Sequence, residues 1–110
     1  MLSDAHHYRL LKLIEGNPHM SQRELAQAMG VSLGKVNYCI KSLVEKGFVK
    51  LENFRRSEDK RVYAYLLTPN GIEEKARVTV DFLRRKLAEY EAIQGEIEEL
   101  QKEIKKKVAA

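Results

Sequence analysis

The stretch Ser21–Gly47, SQRELAQAMGVSLGKVNYCIKSLVEKG, restricts what this chain can fold into more than any other. Ser21 and Glu24 have the S-x-x-E spacing of a capping box, in which hydroxyl and carboxylate satisfy backbone N–H groups that the first turn of a helix leaves unpaired. Leu25, Ala26 and Met29 give the helix that follows one apolar face. Gly30 stops it, because glycine alone enters the left-handed backbone region cheaply. Val31 turns inward, and Ser32 has the chemistry of a second N-cap. Val36, Ile40, Leu43 and Val44 then recur at three- and four-residue steps, one buried stripe on a second helix. Gly47 ends that helix. Its opposite face carries Gly34, Lys35, Asn37, Tyr38 and Lys41.

A short helix, a glycine turn and a second helix with a polar outer face form the helix-turn-helix pattern. The flanking segments extend it. Residues 4–15 read as a preceding helix lined by Tyr8, Leu10, Leu11 and Ile14, and Gly16-Asn17-Pro18 ends it. After Gly47, FVKLENFRR and RVYAYLL are two β-type runs. Val49 and Leu51 alternate with Lys50 and Glu52; Tyr63, Tyr65 and Leu67 alternate with Ala64 and Leu66. The charged segment Arg56–Lys60 between them is the tip of a β-hairpin. Three helices and a hairpin make a winged helix, so the fold class is mainly α with a small β-hairpin wing. Residues 1–69 form the expected head and residues 70–110 a separate C-terminal helix.

Thr68-Pro69 opens that helix, with threonine as cap and proline at the first helical position, where a missing N–H costs nothing. No further proline follows. From residue 70 to 107 the helix spans roughly 57 Å, whereas a head of this size is only about 25–30 Å across. Its far half cannot fold back on its own head, yet it keeps an apolar stripe. Val80, Leu83, Leu87, Tyr90, Ile93, Ile97, Leu100 and Ile104 are the candidate dimerisation residues of a coiled-coil-type helix, and a second copy of the chain is the expected partner. The steps between Ile72 and Val108 mirror about Tyr90. An antiparallel pair crossing there matches Leu87 with Ile93, Leu83 with Ile97 and Val80 with Leu100. It brings Arg84 level with Glu96, but also Lys75 level with Lys105 and Asp81 level with Glu99.

The formal net charge is +4, and its placement carries the information. Residues 32–61 hold eight basic groups (Lys35, Lys41, Lys46, Lys50, Arg55, Arg56, Lys60, Arg61) against four acidic ones (Glu45, Glu52, Glu58, Asp59), while residues 1–31 and 71–110 are each neutral. A basic patch confined to one segment is the electrostatic footprint of a polyanion partner. No apolar run is long enough for a membrane span, and MLSDAHHYRL lacks the apolar core of a secretory signal, so a cytoplasmic protein with no membrane partner is expected. Cys39 is the only cysteine, which excludes an internal disulfide; beside the apolar stripe it reads as a small core residue. His6 and His7 point about 100° apart on a helix and His19 stands alone, so no metal set is expected. No phosphate-binding glycine loop, catalytic triad or paired catalytic carboxylates occur, so neither an enzyme nor a cofactor is expected.

The sequence Asp59-Lys60-Arg61-Val62-Tyr63-Ala64-Tyr65-Leu66-Leu67-Thr68-Pro69-Asn70-Gly71 resembles the D-x-R wing and following L-T-x-x-G of the MarR family of bacterial transcriptional regulators. Residues 21–49 also look like that family's helix-turn-helix. HYRLLKLIEGNP, SLGKVNYCIKSL and LLTPNGIEEKA together resemble an exopolysaccharide-associated branch of it. The resemblance implies a DNA-binding regulator that works as a homodimer. The longer N-terminal dimer helix of ordinary members has no counterpart here, and the chain ends in one uninterrupted helix. By this comparison the parts that usually frame the family's small-molecule pocket are not expected, and neither is control by a small-molecule effector.

Lys35 is suited to guanine or phosphate, Asn37 to adenine, and Tyr38 to phosphate or a thymine methyl, with Lys41 on the same face. Ser32 and Gly34 allow close approach to the sugar-phosphate. Ser21, Gln22 and Arg23 are expected at phosphates. Arg55, Arg56, Lys60 and Arg61 form the wing, where an arginine can enter a narrow, electronegative minor groove; the family comparison points to Arg61, held by Asp59. The function expected is sequence-specific binding of double-stranded DNA in transcription. The alternatives are a winged-helix protein-interaction module and a low-specificity architectural DNA-binding protein.

Overall fold

The computed structural model describes residues 3–56 and 60–109, with the side chains of all of them except 4, 53–56, 60–63 and 109. The element order is α1 (Asp4–Gly16), α2 (Gln22–Met29), α3 (Leu33–Glu45), β1 (Val49–Arg56), β2 (Lys60–Leu67) and α4 (Pro69–Ala109). It is the winged-helix order that the chain's periodicities predict.

Each helix of the head starts on a side-chain cap. Ser3 Oγ accepts from the His6 N–H at 3.2 Å. At α2 the capping box is complete: Ser21 Oγ accepts from the Glu24 N–H at 3.1 Å, and Glu24 Oε1 accepts from the Ser21 N–H at 3.3 Å. Gly30 ends α2 at φ 68°, a left-handed conformation. Two residues later Ser32 Oγ accepts from the Lys35 N–H at 3.1 Å and starts α3. These local interactions set the angle between α2 and α3, and burial then holds it. Leu10, Leu11, Ile14, Leu25, Ala26, Met29, Val36, Ile40, Leu43 and Val49 make one apolar cluster, with Cys39, Met20, Tyr65 and Leu67 packed against it. Among the described residues no polar or charged side chain is buried.

Three details differ from the sequence expectations. Val44 is 43% exposed rather than part of the buried stripe; at about 100° per residue it falls some 80° round from Val36, at the edge of the face that α1 and α2 cover. Leu51 is 46% exposed while Ala64 is 1% exposed. In the antiparallel register Val49 pairs with Leu67, Leu51 with Tyr65 and Glu52 with Ala64, so Leu51 shares the face of Val49 but lies farther along a strand that is leaving the head. Ala64, on the face that alternation assigned to solvent, is covered instead. The chain after α1 runs alongside β2 at this level, where the Tyr65 N–H donates to the Pro18 carbonyl at 2.9 Å.

The root of α4 is anchored on the head. Thr68 caps it, with Oγ1 accepting from the Gly71 N–H at 3.0 Å and donating to the Gly47 carbonyl. The Thr68 N–H donates to the Phe48 carbonyl at 3.0 Å. Val78 is buried in the head's core, Lys75 pairs with Glu15 of α1, and the Phe82 ring stacks on Tyr8 with centroids 5.4 Å apart and planes 11° from parallel. From Leu83 to Val108 every residue is exposed. The molecule measures 80 × 25 × 21 Å, a small head with a helical rod projecting from it.

A candidate nucleic-acid interface

The outer side of the helix-turn-helix is built by three things: the two capped N-termini, the solvent face of α3 and the hairpin. On α3, Val36, Ile40 and Leu43 face the core, which turns Gly34, Tyr38 and Lys41 outward and leaves Lys35 and Asn37 on the flanks. Lys35, Gly34 and Lys41 are exposed, and Tyr38 is 67% exposed. An aromatic ring with most of its surface in solvent is available to meet a partner. Ser21, Arg23 and Ser32 are exposed as well. The two serines use a lone pair for capping, and each keeps its own O–H as a donor. The first N–H groups of α2 and α3 add partial positive charge at the same end.

Gln22 and Asn37 have a different setting. Asn37 Nδ2 donates to Gln22 Oε1 at 3.0 Å, and Gln22 Nε2 donates to Tyr65 Oη at 3.0 Å. Both contacts are partly buried. This chain of amide, amide and phenol ties α3 to the first turn of α2 and both to strand β2. Tyr65, which strand alternation places only on one face with Leu67, is the third member. The signal was that a half-buried phenol seeks a hydrogen-bond partner; which partner it finds, 43 residues away, is set by the fold.

The hairpin runs in antiparallel register out to Arg55 opposite Arg61 and Arg56 opposite Lys60. The backbone therefore brings these four basic positions together beyond the end of the core. Their side chains lie outside the described residues, as do Asp59 and the contact expected between Asp59 and Arg61. Among the described residues, no group of three or more His, Cys, Asp or Glu is arranged to hold a metal ion, and no helix is long and apolar enough to cross a membrane.

Residues 3–50 match the family model for winged helix-turn-helix DNA-binding domains. Over 78 residues the chain is 32% identical to a putative transcriptional regulatory protein for the hcr operon of Thauera aromatica, a match that covers 71% of this chain and 46% of that protein. Among solved structures it is similar to the zinc-dependent MarR family transcriptional regulator AdcR in its Zn(II)-bound state, at 30% identity and a TM-score of 0.52, over 84% of this chain and 60% of that one. It is also similar to FabT of Streptococcus pneumoniae in complex with DNA, at 23% identity and a TM-score of 0.54, over 80% of this chain and 59% of that one. The chain thus spans about half the length of the curated relative it matches. Its head has the element order of a winged helix-turn-helix, and residues 3–50 of it match that family's model. Its fold is similar to that of the MarR family transcriptional regulator AdcR.

Proposed function

We propose that this chain is a transcriptional regulator of the MarR type, binding duplex DNA sequence-specifically as a homodimer whose heads are joined through the C-terminal helix. The observation that carries the reading is the solvent face of α3. Lys35, Tyr38 and Lys41 stand exposed on a helix whose N-terminus is capped and free of covering chain, inside the one segment of the sequence that holds its basic excess. Such a helix fits the major groove, where lysine reads guanine or phosphate. Ser21, Arg23 and Ser32 fit phosphates beside it, and Arg55, Arg56, Lys60 and Arg61 fit the adjoining backbone or minor groove. Asn37 and Gln22 act in this reading chiefly through each other and Tyr65, holding α3 at its angle. The resemblance to the exopolysaccharide-associated branch makes exopolysaccharide genes the first promoters to try.

The dimer rests on the exposed stripe. Eight apolar side chains between Val80 and Ile104 are each 48% to 64% exposed in the single chain. Burying one of them is worth roughly 1.5–3 kcal/mol, and a matching helix is the simplest way to bury all of them. The test is a gel-shift titration against random and genomic DNA over a range of salt. If each head neutralises about four phosphates, log K falls against log salt with a slope near −7. A slope near zero, or equal affinity for all sequences, removes the proposal.

A further inference from the structure

The charge of α4 is arranged in four blocks about Tyr90. Residues 69–74 carry Glu73 and Glu74, net −2. Residues 75–89 carry five basic groups (Lys75, Arg77, Arg84, Arg85, Lys86) against Asp81 and Glu89, net +3. Residues 91–105 carry five acidic groups (Glu91, Glu96, Glu98, Glu99, Glu103) against Lys102 and Lys105, net −3, and residues 106–110 carry Lys106 and Lys107, net +2. The blocks change sign under reflection through Tyr90, while the apolar stripe is unchanged by it. Tyr90 itself is 59% exposed on the stripe.

From this we infer that two copies of α4 pair antiparallel, crossing at Tyr90, so that the two heads sit at opposite ends of the rod. The inference rests on the reading that the tail pairs with a second copy; it fixes the direction. Paired helices lie about 8–10 Å apart, close to the screening length of about 8 Å at physiological salt, so block charges on facing helices still act on one another. Antiparallel pairing lays +3 on −3 and −2 on +2 in both halves of the rod. Parallel pairing lays every block on its like. Two like pairs that level matching sets against the antiparallel arrangement are weakened by the structure. Lys75 is turned to Glu15 of its own head, and Asp81 is taken by Arg77.

A second feature agrees. At the root of α4 a cleft of about 320 Å³ opens beside Ile72, lined in part by Ile14, Pro18, Leu66 and Leu67. Ile72 is 54% exposed there, and Val108, at the far end of the stripe, is 81% exposed. A crossing at Tyr90 brings the partner's end of the stripe level with Ile72 and delivers an apolar side chain to this cleft. In a parallel pair the same end projects into solvent. The arrangement also sets the reach of the dimer. Pro69 lies 21 residues from Tyr90, about 32 Å of helix, so the two roots stand about 63 Å apart, nearly two turns of duplex. Half-sites about two turns apart are the consequence.

Cross-linking tests the direction. In a Cys39→Ser background, Tyr90→Cys lies at the crossing in either direction and reports pairing alone. Leu83→Cys chains mixed with Ile97→Cys chains report direction. The expected result is a Tyr90-linked dimer, a dominant mixed product linking position 83 to position 97, and a solution scattering maximum dimension near 100 Å, against about 80 Å for a parallel pair. Linkage of 83 to 83 and 97 to 97, with Tyr90 still linked, overturns the antiparallel inference and leaves the dimer standing. Absence of the Tyr90 link together with a monomeric mass overturns both.

Discussion

The contact between α4 and the turn before β1 gives two glycine substitutions on one helix opposite signs. Gly71 is buried in the first turn of α4. A Cβ built there lies 2.9 Å from the Phe48 carbonyl carbon, 3.3 Å from its Cα, and well inside contact distance of its carbonyl oxygen. Carbon pairs are at their optimum about 3.5–4.0 Å apart, so α4 and the Phe48 backbone must separate by roughly 1 Å. Overpacking of this kind costs about 1–3 kcal/mol. The displaced carbonyl is also the acceptor of the Thr68 N–H, whose loss costs about 1 kcal/mol. Against these stands the better helix propensity of alanine, at most about 1 kcal/mol. Gly71→Ala is therefore destabilising by about 1–3 kcal/mol, a drop of roughly 5–20 °C in Tm. At Gly95 a Cβ meets nothing within 4 Å, so only the propensity remains and Gly95→Ala is stabilising by about 0.8–1 kcal/mol. Urea and thermal unfolding followed by circular dichroism, at one fixed protein concentration, read both. If Gly71→Ala stabilises as Gly95→Ala does, the close seating of α4 on Phe48 is wrong.

The remaining predictions concern the interface. Tyr65→Phe removes the acceptor for Gln22 Nε2 and costs about 0.5–1.5 kcal/mol of stability; it also loosens α3, so discrimination between cognate and random DNA falls more than binding to random DNA does. Lys35→Ala, at an exposed position, leaves unfolding unchanged while losing about 1–3 kcal/mol of preference at one base pair if it reads guanine; a uniform loss on all sequences assigns it to phosphate. Arg61→Ala weakens binding most at sites with A·T-rich flanks, and an equal loss on every sequence demotes it to a backbone contact. Each is read by gel shift on a small panel of duplexes at one salt concentration.

Much of the head is legible in the sequence because it is decided within a turn or two of chain. Ser21 and Ser32 accept from N–H groups three residues ahead of themselves, Glu24 accepts from the Ser21 N–H three residues behind it, and Gly30 and Gly47 take the positive φ their positions require, 68° and 78°. The stripes of α1, α2 and α3 state which faces are buried, and the mirrored spacing of α4 is written into its residues. What could not be read depends on segments that meet only after folding. Helical spacing shows that α4 has apolar side chains in two directions, but only the packed head decides that Val78 and Phe82 turn toward α1 while Leu83, Leu87 and the rest are left uncovered by it. The same holds for Asn37 and Gln22, whose amides suit a base or phosphate equally well until Tyr65 arrives from the far side of the hairpin. It holds for Gly71, an ordinary helix weakness until the Phe48 carbonyl lies against it. A local pattern fixes which groups need a partner, because backbone geometry sets their direction. Which partner satisfies them is a question of distance through space, and that is settled by tertiary packing.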